Sequence, residues 1–209
     1  MEASIDKTTV STELAKTETV TVTLTSVNGY AGDVMLAATL KDATDAPLSN
    51  VNLTGPTSVT LAADGTATAA YMIQVPTDAT GSVMTGTLRV AVTSSGGNKD
   101  FSSAVTVNNI YTVDYPAGTG GTPANHPNAG MNITIRRGTI LRFPNHDTID
   151  HIIHGDNQKG FQHENQSLGV DGLPGRTYDM PTIAIPPGTT GTVGCHTHGT
   201  ASYGNYTVQ

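Results

Sequence analysis

Residues 17 to 25 read Thr-Glu-Thr-Val-Thr-Val-Thr-Leu-Thr, small polar side chains alternating with apolar ones. A period of two is what a strand with one buried face requires, because successive side chains leave opposite faces of a pleated backbone. The pattern recurs at Val34 to Leu40, Ser58 to Leu61, Thr66 to Ile73, Thr85 to Thr93 and Ala104 to Val107. Turn clusters separate the runs, among them Ala-Asp-Gly-Thr (63 to 66) and Ser-Ser-Gly-Gly-Asn (94 to 98). Such a series of short strands specifies a β-sandwich over the N-terminal half. Composition agrees: Thr, Val, Ala and Gly dominate, there are three Phe and no Trp, and no long stretch carries helical periodicity.

The 209-residue chain is long enough for one large or two small domains, each able to bury a core. A second block starts near Ile110, where Ile110 to Tyr115 reads as a strand, followed by a Gly/Pro-rich loop from Pro116 to Gly130. Residues 132 to 145 then give a strand, a turn at Gly138 and a second strand ending in Asn145. An apolar strand through Ile183 and Ile185, the turn Pro186-Pro187-Gly188 and a closing strand from Tyr203 to Val208 complete the block. The expected fold is all-β, with two β-sandwich domains at 1–109 and 110–209 and a boundary near Asn108-Asn109.

Charge narrows the partners. Ten basic residues against 17 acidic ones leave a net charge of −7 and no basic patch to neutralise phosphates, which argues against nucleic acid and anionic membrane surfaces. No window approaches the roughly 20 apolar residues of a membrane span. Met1-Glu2-Ala3-Ser4 lacks the basic and apolar regions of a signal peptide. Cys195 is the single cysteine, so no intramolecular disulfide forms and its thiol is left for other chemistry.

All seven histidines lie between His126 and His198, which places the chemistry in the second half. A copper ion that cycles between two oxidation states needs a soft thiolate beside two imidazoles in a roughly trigonal arrangement. Cys195-x-x-His198 supplies a thiolate and an imidazole at a spacing that suits a tight loop between strands. His151 supplies the second imidazole if the preceding strand pair ends at the same pole. The competing reading of Cys195 is a buried structural thiol, against which stand the glycines and histidines around it.

Phe143-x-Asn145-(x)5-His151, then Leu173-x-Gly-x-Thr-Tyr178, then Cys195-x-x-His198 occur in the order and approximate spacing of plastocyanin, so the span 110 to 209 resembles a plastocyanin-like cupredoxin. That resemblance implies a Greek-key sandwich with a type 1-like copper held by His151, Cys195 and His198. It also implies a weak axial Met after the loop histidine, yet no Met follows Met180. Counting forward from His198 puts Tyr203 there as a candidate axial ligand; counting back from Gly204 puts Ser202 there. An aromatic packing over the loop is the alternative role for Tyr203. In the first half, Asn28-Gly-Tyr-Ala-Gly-Asp-Val-Met-Leu36 resembles a phrase of Ig-like modules in bacterial surface proteins.

The other histidines are expected outside the site. His154, three residues after His151, points to the opposite face of a regular strand, and His196 points away from its neighbour Cys195. His126, His146 and His163 fall in loops rich in Gly, Asn and Asp, where solvated histidines are ordinary; together they offer material for a second metal site. The resemblance implies one-electron transfer with one copper per chain and a redox protein as partner. The N-terminal domain would dock the carrier on a surface or partner protein. It implies export as well, to the periplasm or outside the cell. Two other functions compete: a small copper oxidoreductase with an open or second copper site, and a surface interaction protein whose cupredoxin domain has no redox role.

Overall fold

The computed structural model describes residues 1–120, 122–162 and 173–209. They form two compact units, one made of Met1–Pro76 with Val83–Asn108 and the other of Thr77–Ser82 with Asn109–Gln209. Each is a pair of β-sheets, and no α-helix occurs among the described residues. The chain is therefore all-β with two β-sandwich domains. The second unit takes up the chain from Asn109. Thr77–Ser82 departs from that simple division: Arg136 Nε donates to the Asp78 carbonyl at 2.6 Å, which ties the segment to the second unit.

In the first unit the strands are β1 (Glu2–Ile5), β2 (Thr9–Glu13), β3 (Thr17–Thr25), β4 (Gly32–Lys41), β5 (Asn52–Thr54), β6 (Ser58–Leu61), β7 (Thr66–Gln74), β8 (Met84–Ser94) and β9 (Gly97–Asn108). One sheet has the order β1-β3-β7-β5 and the other β2-β9-β8-β4-β6. The alternation does what it predicts: Val20, Val22 and Leu24 of β3 are buried with Tyr71 and Ile73 of β7, while their threonine neighbours face outward. Ser95 and Gly96 make a two-residue turn between β8 and β9, with Ser94 paired to Gly97.

The second unit continues with β10 (Ile110–Thr112), β11 (Asn132–Ile135), β12 (Ile140–Pro144), β13 (Ile153–Gly155), β14 (Thr177–Pro181), β15 (Thr190–Cys195) and β16 (Gly204–Val208). Its sheets have the orders β10-β12-β14 and β11-β16-β15-β13. Tyr115, Phe143, Phe161, Ile135, Leu141 and Tyr206 fill the interior. The turn at Gly138 is present, with φ +97°, a conformation suited to glycine. The apolar run through Ile183 and Ile185 is not a strand. β14 ends at Pro181, Ile185 closes a turn onto the Thr182 carbonyl, and Ile183 is 60% exposed.

Two pairings bring the site together. In the β13–β15 ladder Ile153 stands opposite Cys195, and beyond it the His196 N–H donates to the Ile152 carbonyl at 2.7 Å. The residues entering β13 and leaving β15 therefore share one pole of the sandwich.

Candidate metal centre

Cys195 ends β15 and is fully buried; a short 3-10 turn, His196–His198, follows and folds the chain back. That turn sets the His198 Nδ1 3.0 Å from the Cys195 Sγ, with the Thr197 hydroxyl 3.2 Å from the sulfur. Ser202 holds the loop from inside: its Oγ accepts from the Cys195 N–H at 3.1 Å and donates to the Gly199 carbonyl at 2.8 Å. This clamp occupies the Ser202 hydroxyl and gives it a structural place.

His151, 1% exposed, enters the same pole from the loop ahead of β13. Its Nε2 lies 3.0 Å from Asp147 Oδ2. The Asp147 carboxylate is fixed in turn by the N–H groups of Gly118 at 3.0 Å, Gly120 at 2.7 Å and Thr148 at 2.8 Å. The His151 contact, followed by those backbone donors, holds the Asp147 carboxyl far below the usual carboxylate range. A carboxylate anchored in this way accepts a hydrogen bond from Nε2–H and leaves Nδ1 as a lone-pair donor, the arrangement by which buried imidazoles are aimed at metal ions. Nδ1 is buried and makes no hydrogen bond among the described residues.

The fourth member is His126. Its ring lies 4.4 Å from that of His198 and 5.0 Å from that of His151, centroid to centroid. The four donor atoms of His126, His151, Cys195 and His198 all lie within 4.8 Å of one another. Both His126 ring nitrogens are buried, and neither is within hydrogen-bond distance and angle of a partner among the described residues. Its pKa is held down at about 4, first by burial and then by the neighbouring His198 and His151, so the ring is neutral at pH 7. Burial and His151 lower His198 too.

The expectation of a solvated His126 is thus overturned, and the cause is long-range. A 3-10 turn at Pro123–Asn125 delivers the chain to His126, and Asn128 fastens the loop to the interior. The Asn128 amide donates to the Tyr115 hydroxyl at 2.7 Å, and its carbonyl oxygen accepts from the Tyr206 hydroxyl. Gly204 lets the loop approach β16: a Cβ there would meet the Asn128 carbonyl at 2.5 Å. One signal in the sequence points here. A site with no Met after its loop histidine leaves a donor to be found elsewhere, and His126 is in the loop nearest the first strand of the unit.

The remaining candidates fall outside this cluster. The Tyr203 ring covers Gly194, whose Cβ would meet Tyr203 Cδ1 at 2.1 Å. Neighbouring strand residues face opposite ways, so Tyr203 packs on the side of β15 away from the Cys195 thiol and not as an axial ligand. His154 also lies on that side, paired with His196, as alternation predicts for both. His146 is exposed and pairs with Asp114 at 2.8 Å. His163 lies outside the described residues.

The fold and donor set define a two-domain β-sandwich protein with a pole of three imidazoles, those of His126 and His151 buried and that of His198 half-buried, and one buried thiol. No protein-family model matches the chain, and no curated protein does. Among solved structures it is similar to a family 123 glycoside hydrolase from Clostridium perfringens, at 12% identity and TM-score 0.40 over 55% of this chain and 30% of that one. It is similar to the periplasmic chaperone SfaE at 10% identity and TM-score 0.39, with both chains fully covered. The same holds for the CsuC–CsuE chaperone–tip adhesion subunit complex from the Csu pili of Acinetobacter baumannii, at 11% identity, TM-score 0.39 and full coverage of both chains.

These neighbours are chaperones and a hydrolase where the motifs implied a plastocyanin-like cupredoxin behind an Ig-like module. The family assignment is corrected accordingly. With it fall copper electron transfer, the redox protein partner, the small copper oxidoreductase and the redox-inactive cupredoxin. The motifs mark strand ends and turns around a Cys/His pole, which the buried His126 ring also joins. No helix among the described residues is long and apolar enough to cross a membrane.

Proposed function

We propose that the second unit binds one transition-metal ion, copper, through His126, His151, Cys195 and His198. The observation that carries this reading is the convergence of one donor atom from each of His126, His151, Cys195 and His198 within 4.8 Å, with Nδ1 of His151 buried and making no hydrogen bond among the described residues. Buried polar atoms are ordinarily paired, and leaving one unpaired costs roughly 1–3 kcal/mol. A cation at the centre of the cluster satisfies Nδ1 of His151 and one ring nitrogen of His126 at once.

Thiolate with imidazole suits copper and zinc, and copper stands above zinc in the order of divalent affinities. Donors bonded to a tetrahedral ion at about 2.0–2.3 Å stand roughly 3.3–3.6 Å apart, so closing the cluster takes side-chain movements of about 1 Å. An exported setting, periplasmic or extracellular, accords with this reading, and the similar chaperone SfaE is described as periplasmic.

Copper added to the metal-free chain should bind with the Cys195 thiolate as a ligand and give a visible thiolate-to-Cu(II) absorption that Cys195→Ser abolishes. A protein that stays colourless while binding stoichiometric copper refutes the assignment. So does zinc outcompeting copper at equal free concentration.

A further inference from the structure

On the opposite side of β13 and β15 from the Cys195 thiol, the Nδ1 atoms of His154 and His196 lie 2.9 Å apart. Their ring centroids are 5.0 Å apart and the planes meet at 38°. The pair is built by the ladder: His154 stands opposite Gly194 while the His196 N–H bonds the Ile152 carbonyl, so the two side chains are diagonal neighbours on one face. The Tyr203 ring, packed over Gly194, flanks His154 at 5.8 Å. His154 is therefore carried on β13 and His196 on the first residue of the 3-10 turn that follows β15, with their like nitrogens converging.

Two imidazole nitrogens this close share either a proton or a cation. Distance separates the classes of cation. Nitrogens bonded at about 2.0–2.1 Å to one ion stand about 2.8–3.0 Å apart when they subtend a right angle, and about 3.3–3.4 Å apart at a tetrahedral angle. The observed 2.9 Å matches the right angle. Adjacent positions of a tetragonal or square-planar ion have that angle, the geometry of Cu(II) and Ni(II), and Cu(II) binds nitrogen donors more tightly than the other divalent ions of its row.

We propose that His154 and His196 form a second, solvent-facing metal site that takes a tetragonal Cu(II) ion at two adjacent positions. It uses none of the donors of the buried cluster.

The test is equilibrium dialysis of the full chain against Cu(II), with metal analysis and electron paramagnetic resonance. Two coppers per chain are expected, one of them with a tetragonal signal split by nitrogen. His154→Asn and His196→Asn should each weaken that copper at least about tenfold while circular dichroism stays unchanged. In Cys195→Ser/His151→Ala the tetragonal copper should remain, so loss of the buried site and loss of this one are read separately. A tetragonal signal of unchanged affinity in both single variants overturns the proposal, as does its absence from the wild-type chain.

Discussion

Asn128→Ala tests whether the loop that carries His126 is held by the contacts described. Asn128 is completely buried, with one hydrogen bond donated to the Tyr115 hydroxyl and one accepted from that of Tyr206. Both tyrosines are themselves buried, and burial pushes their hydroxyls well above the ordinary phenol pKa, so neither escapes its need for a partner by ionising. Truncation leaves two buried polar groups unpaired at about 1–3 kcal/mol each, or about 2–6 kcal/mol together. Water entering the space left by the amide brings the loss toward the lower end. For a domain of this size 1 kcal/mol moves the melting temperature by about 4–8 °C, so calorimetry of the metal-free full chain should show a fall of about 10 °C. Copper affinity should fall as well, because the loop no longer presents His126. Tyr206→Phe leaves only the Asn128 oxygen unpaired and should cost about half as much. In the double variant the two losses should not add, since both remove the same bond. A melting temperature within about 2 °C of wild type, or a copper affinity that does not change, refutes the reasoning.

Asp147→Asn keeps the shape but removes the charge that fixes the His151 proton on Nε2; metal titration should show affinity reduced about 10- to 100-fold with the melting temperature of the metal-free chain less affected. Gly194→Ala places a Cβ 2.1 Å from Tyr203 Cδ1 and 2.8 Å from Tyr203 Cα, so thermal unfolding should register a loss of about 1–3 kcal/mol. Adding Tyr203→Ala should recover only part of it, because the backbone contact persists. The metal-free chain should also lose stability in acid. The folded-state pKa of His126, at about 4, lies below its ordinary 6.5, so the unfolded chain takes up the proton first. Stability is then complete above about pH 6.5, declines toward pH 4 and loses nothing further from this group below that. Urea unfolding across this range should show a gentler slope in His126→Gln, and an unchanged slope would place the acid sensitivity elsewhere.

The strands were legible where each alternate residue is buried. Val20, Val22 and Leu24 of β3 announce themselves because their burial is periodic and local. β1, β2 and β5 were not, because they are short and lie at sheet edges where no continuous apolar face is needed. The site divides in the same way. Cys195 and His198 share one tight loop, and His151 precedes the strand paired to that loop, so their meeting is written in spacing. His126 owes its place to contacts that Asn128 makes with Tyr115 and Tyr206, 13 and 78 residues away, and no periodicity encodes them. The same distinction explains why short motifs misled about the family: they report where turns and strand ends fall, and unrelated sandwiches repeat such features. For the proposed metal site, it also fixes where control of binding would lie. Three donors belong to the β13–β15 pole, whereas the fourth, His126, is carried by the loop that Asn128 ties to Tyr115 and Tyr206. An ion bound to all four would stabilise that arrangement of the loop by its own binding free energy, so metal affinity and the ordering of the loop would be coupled. Asn128, which ligates nothing, is therefore the residue through which the two are joined.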